Sequence, residues 1–336
     1  MSDIATAGRT PVRDGSPAAA ACGSWSAPDA RRVLQLCLAA VWLLDAILQY
    51  QSWMFTRAFG RMLAAAAAGN PGVIARPITW SAGIIEHHPV PANAVFATIQ
   101  LALALGIAWR PTVKIALAAS VAWAVAVWWL GEGLGEVLNS AASPVSGAPG
   151  AVIIYALLAV LLWPADRGGS PAPFVAAGAV GARVARVLWL VLWVSLAYFS
   201  LMAANRAPQT LHDMISGMAS GEPRWLASLD HGAASLVAHQ GLAASVVLAV
   251  ALALIGVSGY LPTPAARAGV VAAIVLAALI WVFGEAFGTI FTGSGTDPNS
   301  GPVLALLALA YWPSRVAVPG RAEAVTSARQ ALPEGH

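Results

Sequence analysis

Polar residues are sparse enough along this chain that they punctuate it. Apolar runs near the ~20 residues a helix needs to cross the hydrocarbon of a bilayer lie at 33–50, 90–109, 112–135 and 148–163. Four more follow at 184–204, 236–260, 268–288 and 302–312, the last being short. Unsatisfied backbone groups are too costly in lipid for anything but helices or a closed barrel to span, and these runs lack the strict alternation of a barrel strand. The pattern predicts an all-α polytopic membrane protein of about eight transmembrane helices. Residues 1–30 and 316–336 read as disordered cytoplasmic tails, the first without the apolar core of a signal peptide. Residues 168–182 read as a cytoplasmic linker between membrane units at 31–167 and 183–315.

The second unit repeats the first. Trp128-Trp129-Leu130-Gly131-Glu132-Gly133-Leu134-Gly135 returns as Trp281-Val282-Phe283-Gly284-Glu285-Ala286-Phe287-Gly288, an offset of 153 that also relates Lys114 to Arg267 and Pro149 to Pro302. Upstream, Gly69-Asn70-Pro71 matches Gly221-Glu222-Pro223 and His87 matches His239, both at 152. The closing Trp163-Pro164 and Trp312-Pro313 stand only 149 apart, which predicts that the last helix of the second unit has lost four residues, about one turn. An even number of helices per unit makes these parallel repeats, related by an axis along the membrane normal. Each unit carries a long outer connection, 51–88 and 205–238, with one weakly amphipathic stretch, 53–68 and 211–219.

Composition agrees with the pattern: 59% of residues are apolar and 10% charged, against ~25% charged in a soluble domain. The net charge of +3 is scattered between apolar runs, which sets nucleic acid aside as a partner and leaves the lipid bilayer and a possible membrane-protein partner. With the N-terminus inside, 13 of the 18 basic residues fall on the inner side and 5 on the outer, Arg57, Arg61, Arg76, Arg206 and Arg224. Both termini are therefore expected in the cytoplasm. Richness in Ala, Arg and Trp suits a high-GC bacterium, hence its plasma membrane. Cys22 and Cys37 fall where disulfides are uncommon.

Candidate chemistry gathers at the repeated element. Glu132 and Glu285 each lie 18 residues beyond a basic residue at the inner boundary, about 27 Å of helix, which puts them near the outer boundary. The pairs Gly131/Gly135 and Gly284/Gly288 have the spacing that lets another helix pack closely. The set reads either as a close helix crossing with a carboxylate at the headgroups, or as an ion-binding or proton-relaying site, which its survival in both units supports. His87 and His239 are expected at the outer start of the second helix of each unit, as ligand candidates at similar depth or as solvated boundary residues. Asp45 sits deep in the first run, a functional candidate by default or a hydrogen-bonded helix contact. Residues 139–146 and Asp297-Pro298-Asn299 read as turns. No phosphate loop, Cys-x-x-Cys, His-Glu-x-x-His or Gly-x-Ser-x-Gly is present, and no catalytic residue is assigned.

Four-helix units with a long outer connection after the first helix and a Trp-Pro close resemble the bacterial membrane proteins of the DoxX and DoxD families, over 31–164 and 183–313. The resemblance implies a fused tandem of two such units and permits a quinone-linked redox role; it carries no site residue. Three functions stay open: binding of a small ligand or ion at an outer-face site between helices, in transport or as an accessory protein; a quinone-linked component; and a scaffold subunit. The cofactor is likewise open between none, a quinone and a metal ion.

Overall fold

The computed structural model describes residues 27–138, 140–164 and 172–314. Residues 1–26 of the tail read at 1–30, with Cys22, and the tail read at 316–336 lie outside them, while residues 27–30 begin the first helix. Among the described residues all regular structure is helical: α1 (Ala27–Gln49), α2 (Arg57–Ala65), α3 (Gly72–His87), α4 (Pro89–Ala108), α5 (Val113–Leu130), α6 (Ala151–Leu161), α7 (Val175–Val180), α8 (Ala182–Ser200), α9 (Thr210–Met218), α10 (Arg224–Val237), α11 (Gly241–Ser258), α12 (Thr263–Leu279) and α13 (Ser300–Ala310).

Among the described residues six segments are long and apolar enough to cross a membrane: Ala30–Gln49, Pro89–Ala108, Arg110–Leu130, Ala182–Ser200, Gly241–Ser258 and Thr263–Gly284. Their surfaces fit lipid. α1 buries Leu38 and Trp42 inward while turning Leu36, Leu43 and Ile47 outward, a display a water-facing helix would not make. The protein is thus a multi-pass helical membrane protein.

α6 and α13 differ from these six. Each has 11 residues, about 16 Å, or half the hydrocarbon thickness. They pack on one another at the centre, with α5 and α1 beside α6 and α13, and α12 behind α13. Their equal length corrects the expectation of a shortened last helix. The offset of 149 already holds at their first residues, 151 and 300. The four missing residues lie in the preceding connection, which takes 17 steps from Glu132 to Pro149 but 13 from Glu285 to Pro298. Pro302, matched with Pro149 by sequence, is instead the third residue of α13.

Each of the long connections at 51–88 and 205–238 contains two helices rather than one amphipathic stretch, α2 packed on α3 and α9 packed on α10. Pro77 within α3 and Asp230, His231 and Gly232 within α10 break the apolar period that would announce them. The linker read at 168–182 contains α7, whose Val175, Ala176, Ala177 and Ala179 are buried against α6, α8 and α1.

Candidate functional site

The site is made where α5 and α12 stop. α5 ends at Leu130, and α12 runs into a π turn, Ile280–Gly284. The chain then turns left-handed, at Leu134 (φ 59°) and Gly135 (φ 60°) in one place and at Phe287 (φ 57°), Gly288 (φ 70°) and Thr289 (φ 53°) in the other. This corrects the reading of the glycine pairs as one face of a continuous helix, because the second glycine of each pair is not helical. The glycines allow backbone to approach backbone: a Cβ on Gly135 would lie 2.6 Å from Gly150 N, and one on Gly288 2.7 Å from Asp297 O.

Two bonds recur in both places. Trp128 Nε1 donates to Pro149 O at 2.6 Å and Trp281 Nε1 to Pro298 O at 2.8 Å. Each glutamate then meets the first amides of the following short helix, which have no intrahelical acceptor and carry the positive end of the helix dipole. Glu285 accepts from Ser300 N at 3.2 Å, Gly301 N at 3.0 Å and the Ser300 hydroxyl. Glu132 accepts from Val152 N at 3.2 Å, while its Oε2 has no partner. The connections interlock, since Gly147 faces Asn299 and Glu285, and Gly284 faces Val145.

Beneath Glu132 lies a cavity of about 210 Å³ bounded by Trp42, Phe59, Phe96, Trp123, Val127 and Tyr155, with Asp45, Gln49, Ser81, Gln100, Glu132, Thr296 and Asp297 as polar members. Asp45, 2% exposed, accepts from the Tyr155 hydroxyl at 3.1 Å. Gln49 Oε1, Gln100 Oε1, Trp123 Nε1 and Glu132 Oε2 have no hydrogen-bond partner. Glu132, Thr296 and Asp297 also line a second, polar cavity of about 280 Å³ between the two connections, with Glu136, Thr289 and Asn299.

Burial, with the negative charge of Asp297 adding to it, pushes the Glu132 carboxyl up to about 8; burial raises Glu285 to about 7 and raises Asp297 as well. These three lie beyond the ends of the six spans. Among the described residues no lysine or arginine lines either cavity. Such a site accepts hydrogen bonds and positive charge and repels anions.

Asp45 and Glu132 are therefore brought to one cavity. Glu285 lines neither cavity and is turned to the start of α13. His87 and His239 are not there either. His87 is the last residue of α3, exposed, with Nδ1 2.7 Å from Gly83 O. His239 is exposed beside Gln209. Among the described residues no three His, Cys, Asp or Glu side chains gather as metal ligands would. Asp297 and Thr296 are the site residues the sequence reading passed over, since both come from the second half of the chain into a cavity of the first.

No family model, curated protein or solved structure matches this chain. Function has to be argued from the cavity itself.

Proposed function

We propose that this protein binds, between its helices and near their outer ends, a small and mostly apolar molecule bearing a cationic or hydrogen-donating head. The observation that carries this is the cavity under Glu132: aromatic walls, three carboxyl groups and, among the described residues, no basic side chain and three acceptor oxygens without partners. A volume of about 210 Å³ is below the ~300–1,000 Å³ of pockets that enclose drug-sized ligands, so the occupant is small or inserts only its head. The binding role belongs to transport or to an accessory subunit of a membrane complex.

The architecture we propose with it is two parallel four-helix repeats of eight membrane segments in a bacterial plasma membrane, both termini cytoplasmic. It is supported by sequence offsets that stay between 149 and 153 and by the paired Trp-to-Pro and Glu-to-helix contacts, with α6 and α13 as short central segments. A second reading, a quinone-linked component of DoxX or DoxD type, is favoured by one observation. Glu132 and Asp297 line both the apolar cavity and the polar one, which suits a carboxylate taking a proton from a hydroquinone head and passing it outward while the redox centre of a partner protein takes the electrons.

Native mass spectrometry of the chain extracted in mild detergent tests the binding role. We expect a retained organic ligand in the wild type and its loss in Glu132→Gln. A wild-type chain that is always empty, or a ligand retained equally by both, refutes the assignment; a retained quinone selects the second reading.

A further inference from the structure

At the other end of the bundle a separate cavity of about 550 Å³ opens among the start of α8, the end of α11, the start of α12 and the end of α13. Its walls include Phe174, Trp189, Leu261 and Val270, together with Arg186 and Arg267, and among the described residues no acidic one. Both arginines are partly buried, and the Nε of each lacks a partner. Arg267 reaches Pro313 O only at 3.5 Å and lies over the Trp312 ring. The other donors nearby are engaged within the protein: Trp189 Nε1 with Ile255 O at 2.8 Å, Ser258 Oγ with the same carbonyl at 2.6 Å and the Tyr311 hydroxyl with Ala185 O at 2.7 Å. The guanidinium donors are left facing a cavity beside the N-terminus of α12, whose first amides add to the positive field.

The corresponding end of the first half is closed by protein. There Arg32 donates to Ile107 O at 3.0 Å and to Ala108 O, the last carbonyls of α4, and Gln35 Nε2 donates to Leu162 O at 2.9 Å. In the second half, two partly desolvated cations with no carboxylate beside them among the described residues call for an anion, and Arg forks match phosphate oxygens. The cavity also has an apolar side, and Leu261 at its rim is 47% exposed, at the end of the bundle that gathers Arg31, Arg32, Arg110 and Lys114.

We propose that this cavity holds the phosphate headgroup of an anionic phospholipid, gripped by Arg186 and Arg267, with its glycerol and acyl chains leaving past Phe174 and Leu261 into the adjoining leaflet. The site is independent of the ligand proposed above. The test uses the full chain reconstituted in phosphatidylcholine vesicles containing phosphatidylglycerol, extracted in mild detergent and analysed for retained lipid by native mass spectrometry. The wild type should keep phosphatidylglycerol over phosphatidylcholine by about tenfold. Arg186→Gln with Arg267→Gln should abolish that preference, whereas Arg183→Gln, an exposed arginine on the same helix, should preserve it. Lysines at both positions keep the charge without the fork, fold if charge alone is needed, and should give intermediate retention. Equal retention of the two lipids by the wild type, an unchanged double variant, or equal loss in Arg183→Gln would overturn the proposal. So would displacement of the lipid by millimolar inorganic phosphate, which would assign the site to a soluble phosphate.

Discussion

Glu132 and Glu285 occupy matching places in the sequence, yet the structure makes them unequal under the same substitution. Both oxygens of Glu285 are used, by Ser300 N, the Ser300 hydroxyl and Gly301 N. An amide nitrogen accepts nothing, whatever the protonation state of the carboxyl it replaces. Glu285→Gln therefore loses one bond of about 1 kcal/mol and buries an unpaired NH₂ at a further 1–3 kcal/mol, about 2 kcal/mol or more in all. Glu132 has one engaged oxygen and one without a partner. In Glu132→Gln the amide oxygen keeps the bond from Val152 N and the NH₂ takes the idle place, a change within about 1 kcal/mol. Thermal unfolding in detergent, followed by fluorescence of the 14 tryptophans, should show Glu285→Gln melting several degrees lower and Glu132→Gln close to wild type. Equal shifts, or a larger loss in Glu132→Gln, would refute the assignment of one glutamate to the frame and the other to the cavity.

Gly135→Ala should cost about 2–4 kcal/mol, since it places Ala at φ 60° with a Cβ 2.6 Å from Gly150 N; Gly217→Ala, in a helix with nothing within 4 Å, should leave the melting temperature level or raise it. Trp128→Phe and Trp281→Phe should each lose about 1 kcal/mol with the indole bond to a prolyl carbonyl, and unchanged melting of both would remove those bonds from the account. For a pH test, Glu132 is raised to about 8, so it carries charge only as pH climbs through that value. Affinity for a cationic probe should then rise between about pH 7 and 9, and Glu132→Gln should flatten the rise; affinity that falls with pH contradicts it. By linkage, the proton Glu132 holds in the folded state contributes stability that is lost as pH rises from the ordinary carboxyl value of 4.5 through about 8, so wild type should lose stability relative to Glu132→Gln between those values. Finally, a cysteine at position 73, where Val73 is 75% exposed, should be labelled from outside intact cells and one at position 325 spared; the reverse overturns the orientation.

Much of the frame was legible because lipid leaves few options. Six of the apolar runs are the six spans, found within a few residues of where hydropathy puts them. The Trp, Gly and Glu set also proved to mark one local structure in two places. Three things were hidden for physical reasons. Gly135 and Gly288 have helix spacing, but spacing says nothing of φ, and both are left-handed. Prolines at 298 and 302 offered two ways to align the connection, and only the indole bond to Pro298 O distinguishes them. Asp297 looked like a turn residue because Asp-Pro-Asn is turn chemistry; that it reaches a cavity of the other half is a tertiary fact without a local signal. His87 and His239 were attractive as a matched pair, yet each ends up exposed, near a helix end and away from the carboxylates.

The bond from each tryptophan to a prolyl carbonyl has a consequence for how this region can diverge. Connections of 17 and 13 steps deliver the same carbonyl to the same indole and the same amides to a carboxylate, so the start of the short helix is located by a clasp rather than by counting residues. The slack between clasp and glutamate is free to drift in length while the geometry that matters stays fixed. Any comparison of this chain with a distant relative that holds the alignment gapless through this stretch will mispair the helix that follows, and the reliable anchors are the tryptophan, the glutamate and the proline that closes the loop.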